Sequence, residues 1–322
     1  MNNLYIMIGL PGSGKDTMAK KIQAVDRLKN VILSSDDIRI ELFGWEDQSK
    51  NGQVFEEMNK RCKEYLSKGF NVVYNATNLN KKRRMALINE MKKYANINAI
   101  LCLCPIGTIF ERNLLRFERH IPEDKLLQMF RTMDIPMKYE GYDNIYYINT
   151  DKRYNSREMI DWFLEIGKDY DQQNEHHNAT VQEHLLLTAQ MAFQYSQDEN
   201  LYEAGRFHDI GKPYSREWNE EKQKYTYYEH HRISAYLYLL YATYDLDIYI
   251  YNKETHLYRG IEDKNMVDLK KFSDNVLDIS TLIYHHMDKF IGNLDKTKEL
   301  LGDELYNKLE ILMKADAYRE EK

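Results

Sequence analysis

The nine residues Gly9-Leu10-Pro11-Gly12-Ser13-Gly14-Lys15-Asp16-Thr17 constrain this chain more than any others. They follow the apolar run Leu4-Tyr5-Ile6-Met7-Ile8 and precede Thr17-Met18-Ala19-Lys20-Lys21-Ile22, whose apolar residues recur at helical spacing. A glycine-rich turn between a buried strand and a helix aims backbone N–H groups at an anion, so the segment predicts a phosphate-binding loop in an α/β fold. In the pattern G-x-x-x-x-G-K-[S/T], Gly9, Gly12, Ser13 and Gly14 form the cradle for a nucleoside triphosphate. Lys15 reaches its β/γ oxygens, and a hydroxyl takes Mg²⁺. Here Asp16 occupies the hydroxyl position and Thr17 follows it.

The alternation continues. Strand-like runs at 30–34, 70–74, 97–102 and 145–148, with helical stretches between them, predict a parallel sheet covered by helices, whose ligands bind at the carboxyl ends of the strands. A length of 322 residues is enough for two cores. The expected division is an α/β domain over 1–150, a charged connecting helix over 151–170 and a helical domain over 171–322. A net charge of −6 gives no global polycation, so nucleic-acid binding would rest on local patches. Cys62, Cys102 and Cys104 are too few for a disulfide framework or a zinc knuckle, and the last two read as one face of a strand. No apolar run approaches the ~20 residues of a membrane helix, so a cytoplasmic protein without a membrane partner is expected.

Two segments near strand ends carry candidate chemistry. Asp36 in Ser35-Asp36-Asp37-Ile38-Arg39 reads either as a base for an attacking hydroxyl, with Arg39 clamping a phosphate, or as a helix N-cap with Arg39 solvated. Arg112, Arg116 and Arg119 follow a 4-then-3 spacing that predicts one helix face. They read as a lid over transferring phosphoryl oxygens, or as a surface stripe paired with Glu111 and Glu118.

Together with the loop, the Thr77-Asn78-Leu79-Asn80 stretch, Arg83-Arg84 and Arg112-Asn113-x-x-Arg116 before Ile121-Pro122, these residues resemble the phage-type 5′-OH polynucleotide kinase domain. The resemblance implies ATP with Mg²⁺ as cofactor, Asp36 as general base, Arg39 on the acceptor phosphate, Lys15 on the transferring phosphate, and Arg112 and Arg116 over ATP. The chain departs from that pattern twice. Asp16 replaces a Ser or Thr, and Asn75 replaces an Asp near the end of the third strand, which predicts that Asp16 takes over the acidic share of Mg²⁺ coordination.

Beyond residue 171 lie nine of the ten histidines. His176-His177, His184, His208-Asp209, His230-His231, His285-His286 and the terminal Asp316 predict an imidazole–carboxylate metal centre. Their H…HD…D order resembles the HD phosphohydrolase superfamily. That resemblance implies a helical domain with His184, His208, Asp209 and Asp316 on one metal. It also implies a second metal served by His230 and His286, or His285, with Asp209 bridging. Such donors suit one or two divalent ions such as Mn²⁺, Fe, Co²⁺ or Ni²⁺. Lys212 reads as a phosphate contact or as a helix-end lysine before Pro213.

A 5′-OH kinase joined to an HD phosphohydrolase resembles bacterial and phage fusions for RNA end-healing. The implied partners are RNA, or DNA, ends bearing a 5′-OH and a 2′,3′-phosphate, together with a separate RNA ligase. The alternatives are a nucleoside or nucleotide kinase with an HD nucleotidase, and a kinase whose HD domain is regulatory or docks RNA.

Overall fold

The computed structural model describes residues 1–44, 48–116, 120–151, 153, 165, 168, 170, 180–243, 249–252, 269–292 and 294–318. The expected connecting helix over 151–170, His176-His177 and Arg119 fall mostly or wholly outside these residues. The chain forms two compact units. The first comprises 1–129, 136–151 and 246–264; the second comprises 130–135, 152–245 and 265–322.

In the first unit, β1 (Asn2–Ile8), β2 (Asn30–Ser34), β3 (Asn71–Asn75), β4 (Ala95–Leu103) and β5 (Asn144–Asn149) pair in parallel in the order β2-β3-β1-β4-β5. The helices α1 (Lys15–Val25), α2 (Ser35–Phe43), α3 (Asn51–Ser67), α4 (Lys81–Met91), α5 (Ile106–Leu114) and α6 (Glu123–Arg131) alternate with these strands. Leu4, Ile6, Met7 and Ile8 are fully buried, which accounts for an unbroken apolar run rather than an alternating one. Met7, Ala19, Val73, Ile100, Cys102 and Ile148 form one core cluster, and the three cysteines are free and buried. One strand was not anticipated: β8 (Tyr249–Asn252) adds to β5 antiparallel, pairing Asn144 with Asn252 through Tyr147 with Tyr249.

The second unit is helical: α7 (Val181–Ser196), α8 (Glu199–Phe207), α9 (Lys212–Ser215), α10 (His230–Ala242), α11 (Leu269–His285), α12 (Asp288–Ile291) and α13 (Leu294–Asp316). A short hairpin, β6 (Glu217–Asn219) with β7 (Lys224–Thr226), separates α9 from α10. Thr180 and Glu183 close a capping box at the start of α7, one residue before the first metal-type ligand, His184. Gly205 lets α8 approach α7, since a Cβ there would stand 2.7 Å from the Ala189 backbone. Tyr236, Leu237, Tyr238, Leu239 and Leu240 are buried on α10, so the tyrosines of this stretch pack as core.

Candidate functional site

The loop after β1 has the geometry of an anion cradle. Gly14 caps α1 at φ 86°, a left-handed conformation that glycine reaches without strain. Its neighbours hold the loop: Thr150 Oγ1 donates to the Ser13 carbonyl at 2.9 Å, and Gly9 N donates to the Thr77 carbonyl at 3.1 Å. Lys15 is buried and its ammonium donates to the Leu10 carbonyl at 2.8 Å. Burial pulls the Lys15 pKa down, partly offset by Cys102 and the Asp16 carboxylate, so the site favours an incoming anion.

Asp16 and Asn75 meet. Asn75 Nδ2 donates to Asp16 Oδ1 at 2.7 Å, and Asn75 sits in register between Met7 of β1 and Ser34 of β2. Buried Asn75 Oδ1 has no partner. An orphaned amide oxygen beside a carboxylate at the helix N-terminus fits a hydrated Mg²⁺.

Asp36 is the second residue of α2, where Ser34 Oγ, not Asp36, accepts from the Asp37 N–H at 3.3 Å. The N-cap alternative for Asp36 is therefore not what the structure holds. Arg39 is only 2 % exposed and donates to Asp36 Oδ1 at 2.8 Å and to Asn51 Oδ1 at 2.7 Å. It is not a solvated residue. Asn51 was missed in the sequence, because its contact spans twelve positions and carries no motif.

The arginine lid differs from the expected helix face. α5 ends at Leu114, so Arg116 lies beyond it. The physical cause is Asn113, whose side chain donates to the Ile121 carbonyl at 2.7 Å and accepts from the Ile121 N–H at 3.1 Å, turning the chain back. Arg112 donates to the Gly12 carbonyl at 3.0 Å and the Thr150 carbonyl at 3.1 Å, which braces the loop from the side. Arg84, read in sequence within a basic run, is 1 % exposed. It pairs with Glu140 at 2.7 Å and donates to the Asn78 carbonyl at 2.9 Å, fixing the segment after β3.

In the second unit two donor groups form, His184–His208–Asp209–Asp316 and Asp209–His230–His286, all buried. His184 Nε2 stands 3.2 Å from Asp209 Oδ2, from Asp316 Oδ1 and from His208 Nε2. His208 Nε2 is 3.3 Å from Asp209 Oδ2 and 3.4 Å from Asp316 Oδ1. These five separations, 3.2–3.4 Å, bring four donor atoms close enough to share one ion. Asp209 turns its other oxygen to the second group, with Oδ1 2.9 Å from His230 Nε2 and 3.5 Å from His286 Nε2.

The tautomers explain why the groups want a cation. His208, His230 and His286 each place Nδ1 within 2.6–2.8 Å of a backbone carbonyl, of Gly205, Tyr227 and Ile283. With those N–H groups committed, the Nε2 lone pairs face one another, 3.3 Å apart between His230 and His286, and face Asp209 Oδ1. Lone pairs turned inward need a proton or a metal. In the metal-free chain a proton does it: burial opposes the charge on His208, but Asp209 and Asp316 raise its pKa to about 10. Burial lowers the pKa of His286.

Lys212 Nζ lies 2.6 Å from Asp209 Oδ2, and Lys289 holds Asp316 Oδ2 at 3.2 Å. His285 turns away to Asp288 Oδ2 at 2.7 Å, leaving His286 as the histidine of that pair in the second group.

Residues 4–136 match the family model of an AAA domain, and residues 181–320 match that of an HD domain. The chain therefore joins a parallel-sheet α/β unit with a phosphate-binding loop, matching an AAA domain, to a helical unit matching an HD domain. Among solved structures, it is similar to a chain of the Pnkp1/Rnl/Hen1 RNA repair complex, at 23% identity and TM-score 0.38, covering 41% of this chain and 43% of that one. A gluconokinase from Sinorhizobium meliloti 1021 is 16% identical at TM-score 0.34, covering 46% of this chain and 82% of that one. A chain of the PezAT toxin-antitoxin system of Streptococcus pneumoniae is 16% identical at TM-score 0.34, covering 49% and 73%. The chain spans less than half the length of the RNA-repair chain it matches. Among the described residues no helix is long and apolar enough to cross a membrane.

Proposed function

Starting from a chain that carries a P-loop kinase-type AAA domain and an HD domain, we propose that it is a bifunctional nucleic-acid end-healing enzyme. The first site transfers the ATP γ-phosphate to a 5′-OH end, and the second removes a 2′,3′-cyclic, 2′- or 3′-phosphate. RNA is the proposed substrate and a separate ligase the proposed partner. The observation that carries this reading is the pairing, in one polypeptide, of a phosphate-binding loop with a buried lysine and a buried cluster of His and Asp donors. The proposed boundaries remain 1–150 and 171–322.

In the kinase site, Asp36 accepts the proton of the attacking hydroxyl as the new P–O bond forms and the bond to the ADP oxygen breaks. Buried Arg39, tied to both Asp36 and Asn51, fixes the carboxylate rather than reaching for solvent. Lys15 leaves the Leu10 carbonyl to bind the transferring phosphoryl group, and the loop N–H groups of Gly12, Ser13 and Gly14 hold its neighbours. Arg112 acts by bracing the loop, and Arg116 is the arginine left to reach ATP. Asp16 and Asn75 would hold Mg²⁺ through a carboxylate and an amide oxygen.

In the HD site, His184, His208, Asp209 and Asp316 would hold one divalent ion, and Asp209, His230 and His286 a second. When bound, such ions supply charge to the phosphoryl oxygens and acidify an attacking water. Lys212, next to Asp209, is placed to neutralise the phosphate or to protonate the leaving oxygen. Lys289 holds Asp316 in its ligating pose.

The test is one oligonucleotide carrying a 5′-OH and a 2′,3′-cyclic phosphate, incubated with ATP and either Mg²⁺ or Mn²⁺, with both ends scored. A 5′-phosphate and a free 3′ end are expected. Phosphorylation of a free nucleoside in preference to the oligonucleotide would overturn the polymer assignment.

A further inference from the structure

Asp134 lies outside the residues that match the HD model, yet it belongs to the same compact unit as the metal ligands. Segment 130–135 is anchored there by Phe130, which packs edge-on against Tyr236 at 5.2 Å, and by buried Met133 and Ile135. Asp134 is itself buried. Its Oδ1 accepts from Arg232 Nη1 at 2.5 Å and from the Tyr284 hydroxyl at 2.5 Å.

Those two donors flank the second donor group. Arg232 is two residues after His230 on α10, and Tyr284 is two residues before His286 at the end of α11. One carboxylate oxygen thus ties the two elements that carry His230 and His286. The rings between them are layered: Tyr284 meets His231 at 5.7 Å, and His231 meets His230 at 5.9 Å and His286 at 6.4 Å. His231 is a buried wedge rather than a member of either donor group. Electrostatics point the same way. A guanidinium two residues from a metal-type histidine disfavours a cation there, and Asp134 and Glu229, each 2.5 Å away, neutralise Arg232.

We infer that Asp134 is a positioning residue for the second metal, setting the spacing of His230 and His286 from outside the HD motif. The inference rests on the two-metal reading of the HD site. The first group is carried on other elements: His184, His208 and Asp316 sit on α7, after α8 and at the end of α13.

The experiment titrates Mn²⁺ into the metal-free full-length chain and follows stoichiometry calorimetrically and Mn–Mn coupling by electron paramagnetic resonance. The wild type takes two equivalents with a coupled signal. D134A keeps the first equivalent, binds the second about 10–100-fold more weakly and loses the coupling, the usual scale for an outer partner of a metal ligand. Two equivalents at wild-type affinity in D134A would overturn the role of Asp134 alone. A single equivalent in the wild type would overturn the two-metal reading beneath it. If D134A loses both equivalents through misfolding, Y284F decides. Selective weakening of the second equivalent supports the proposal, and unchanged binding sinks it.

Discussion

Asn75 Nδ2 donates a 2.7 Å hydrogen bond to Asp16 Oδ1, so a carboxylate stands at the start of α1 and its amide partner at the end of β3. The family pattern that this chain resembles has a hydroxyl on the helix and the carboxylate on the strand. The proposed exchange would keep the charge of the pair and move it across that hydrogen bond. At the new location the acid faces the positive end of α1.

D16S with Asn75 unchanged leaves the site with no acidic ligand. Kinase turnover should fall about 10–100-fold with a raised Mg²⁺ requirement, and D16S/N75D should recover most of the loss. Mg²⁺ titrations of phosphate transfer check this; identical curves for D16S and wild type would refute the exchange.

D36N should lower kinase kcat by about 10²–10⁴-fold with little change in the KM for ATP. R39K cannot hold both Asp36 and Asn51 in one plane, so it should lower kcat in the same direction but less. A rise in oligonucleotide KM alone for R39K would instead assign Arg39 to the acceptor phosphate.

D209A removes the residue common to both donor groups and should abolish phosphate removal while kinase activity stays within about twofold, since Asp209 belongs to the other compact unit. D36N should show the reverse. Scoring both ends of the same oligonucleotide separates the two losses.

The metal-free HD unit carries its own pH signature. The pKa of His208 is raised from the ordinary 6.5 to about 10, so its protonation stabilises the fold fully below pH 6.5, and that contribution is lost as pH rises through 10. Metal needs the unprotonated imidazole and gains as pH rises. Chelator-treated protein should therefore lose Tm between pH 7 and 10, and the Tm gain on adding Mn²⁺ should widen over the same window, as read by thermal unfolding at fixed ionic strength.

E140A strands the Arg84 guanidinium in the core, at 1 % exposure, with one partner removed. The expected cost is about 3–5 kcal/mol. Denaturant unfolding measures it, and a loss below ~1 kcal/mol would mean that the backbone carbonyls of Asn78 and Leu79 suffice to satisfy Arg84.

What could be read from the sequence is what is local or ordered along the chain. The β1–loop–α1 unit announces itself because strand, glycines and helix are contiguous, and the H…HD…D order survives however the helices pack. The contacts that refine the sites are long-range and chemically ordinary. Asn51 reaches Arg39, Glu140 reaches Arg84 across 56 positions, and Asp134 reaches Arg232 across 98. No period or spacing marks such residues. The expected helix face of Arg112 and Arg116 fails for a related reason: helical spacing says which residues would share a face, but the helix ends at Leu114, where Asn113 bonds Ile121.

The β8 strand has a consequence for synthesis. The sheet of the first unit is completed by chain that follows α10, so β5 leaves the ribosome as an uncovered edge. With β5 ending at Asn149 and β8 starting at Tyr249, translation at ~5–20 residues per second leaves that edge open for about 5–20 s. During that interval the nascent chain offers a parallel-sheet border to any other strand in the cell, and closing it depends on a segment made only after much of the second unit has emerged.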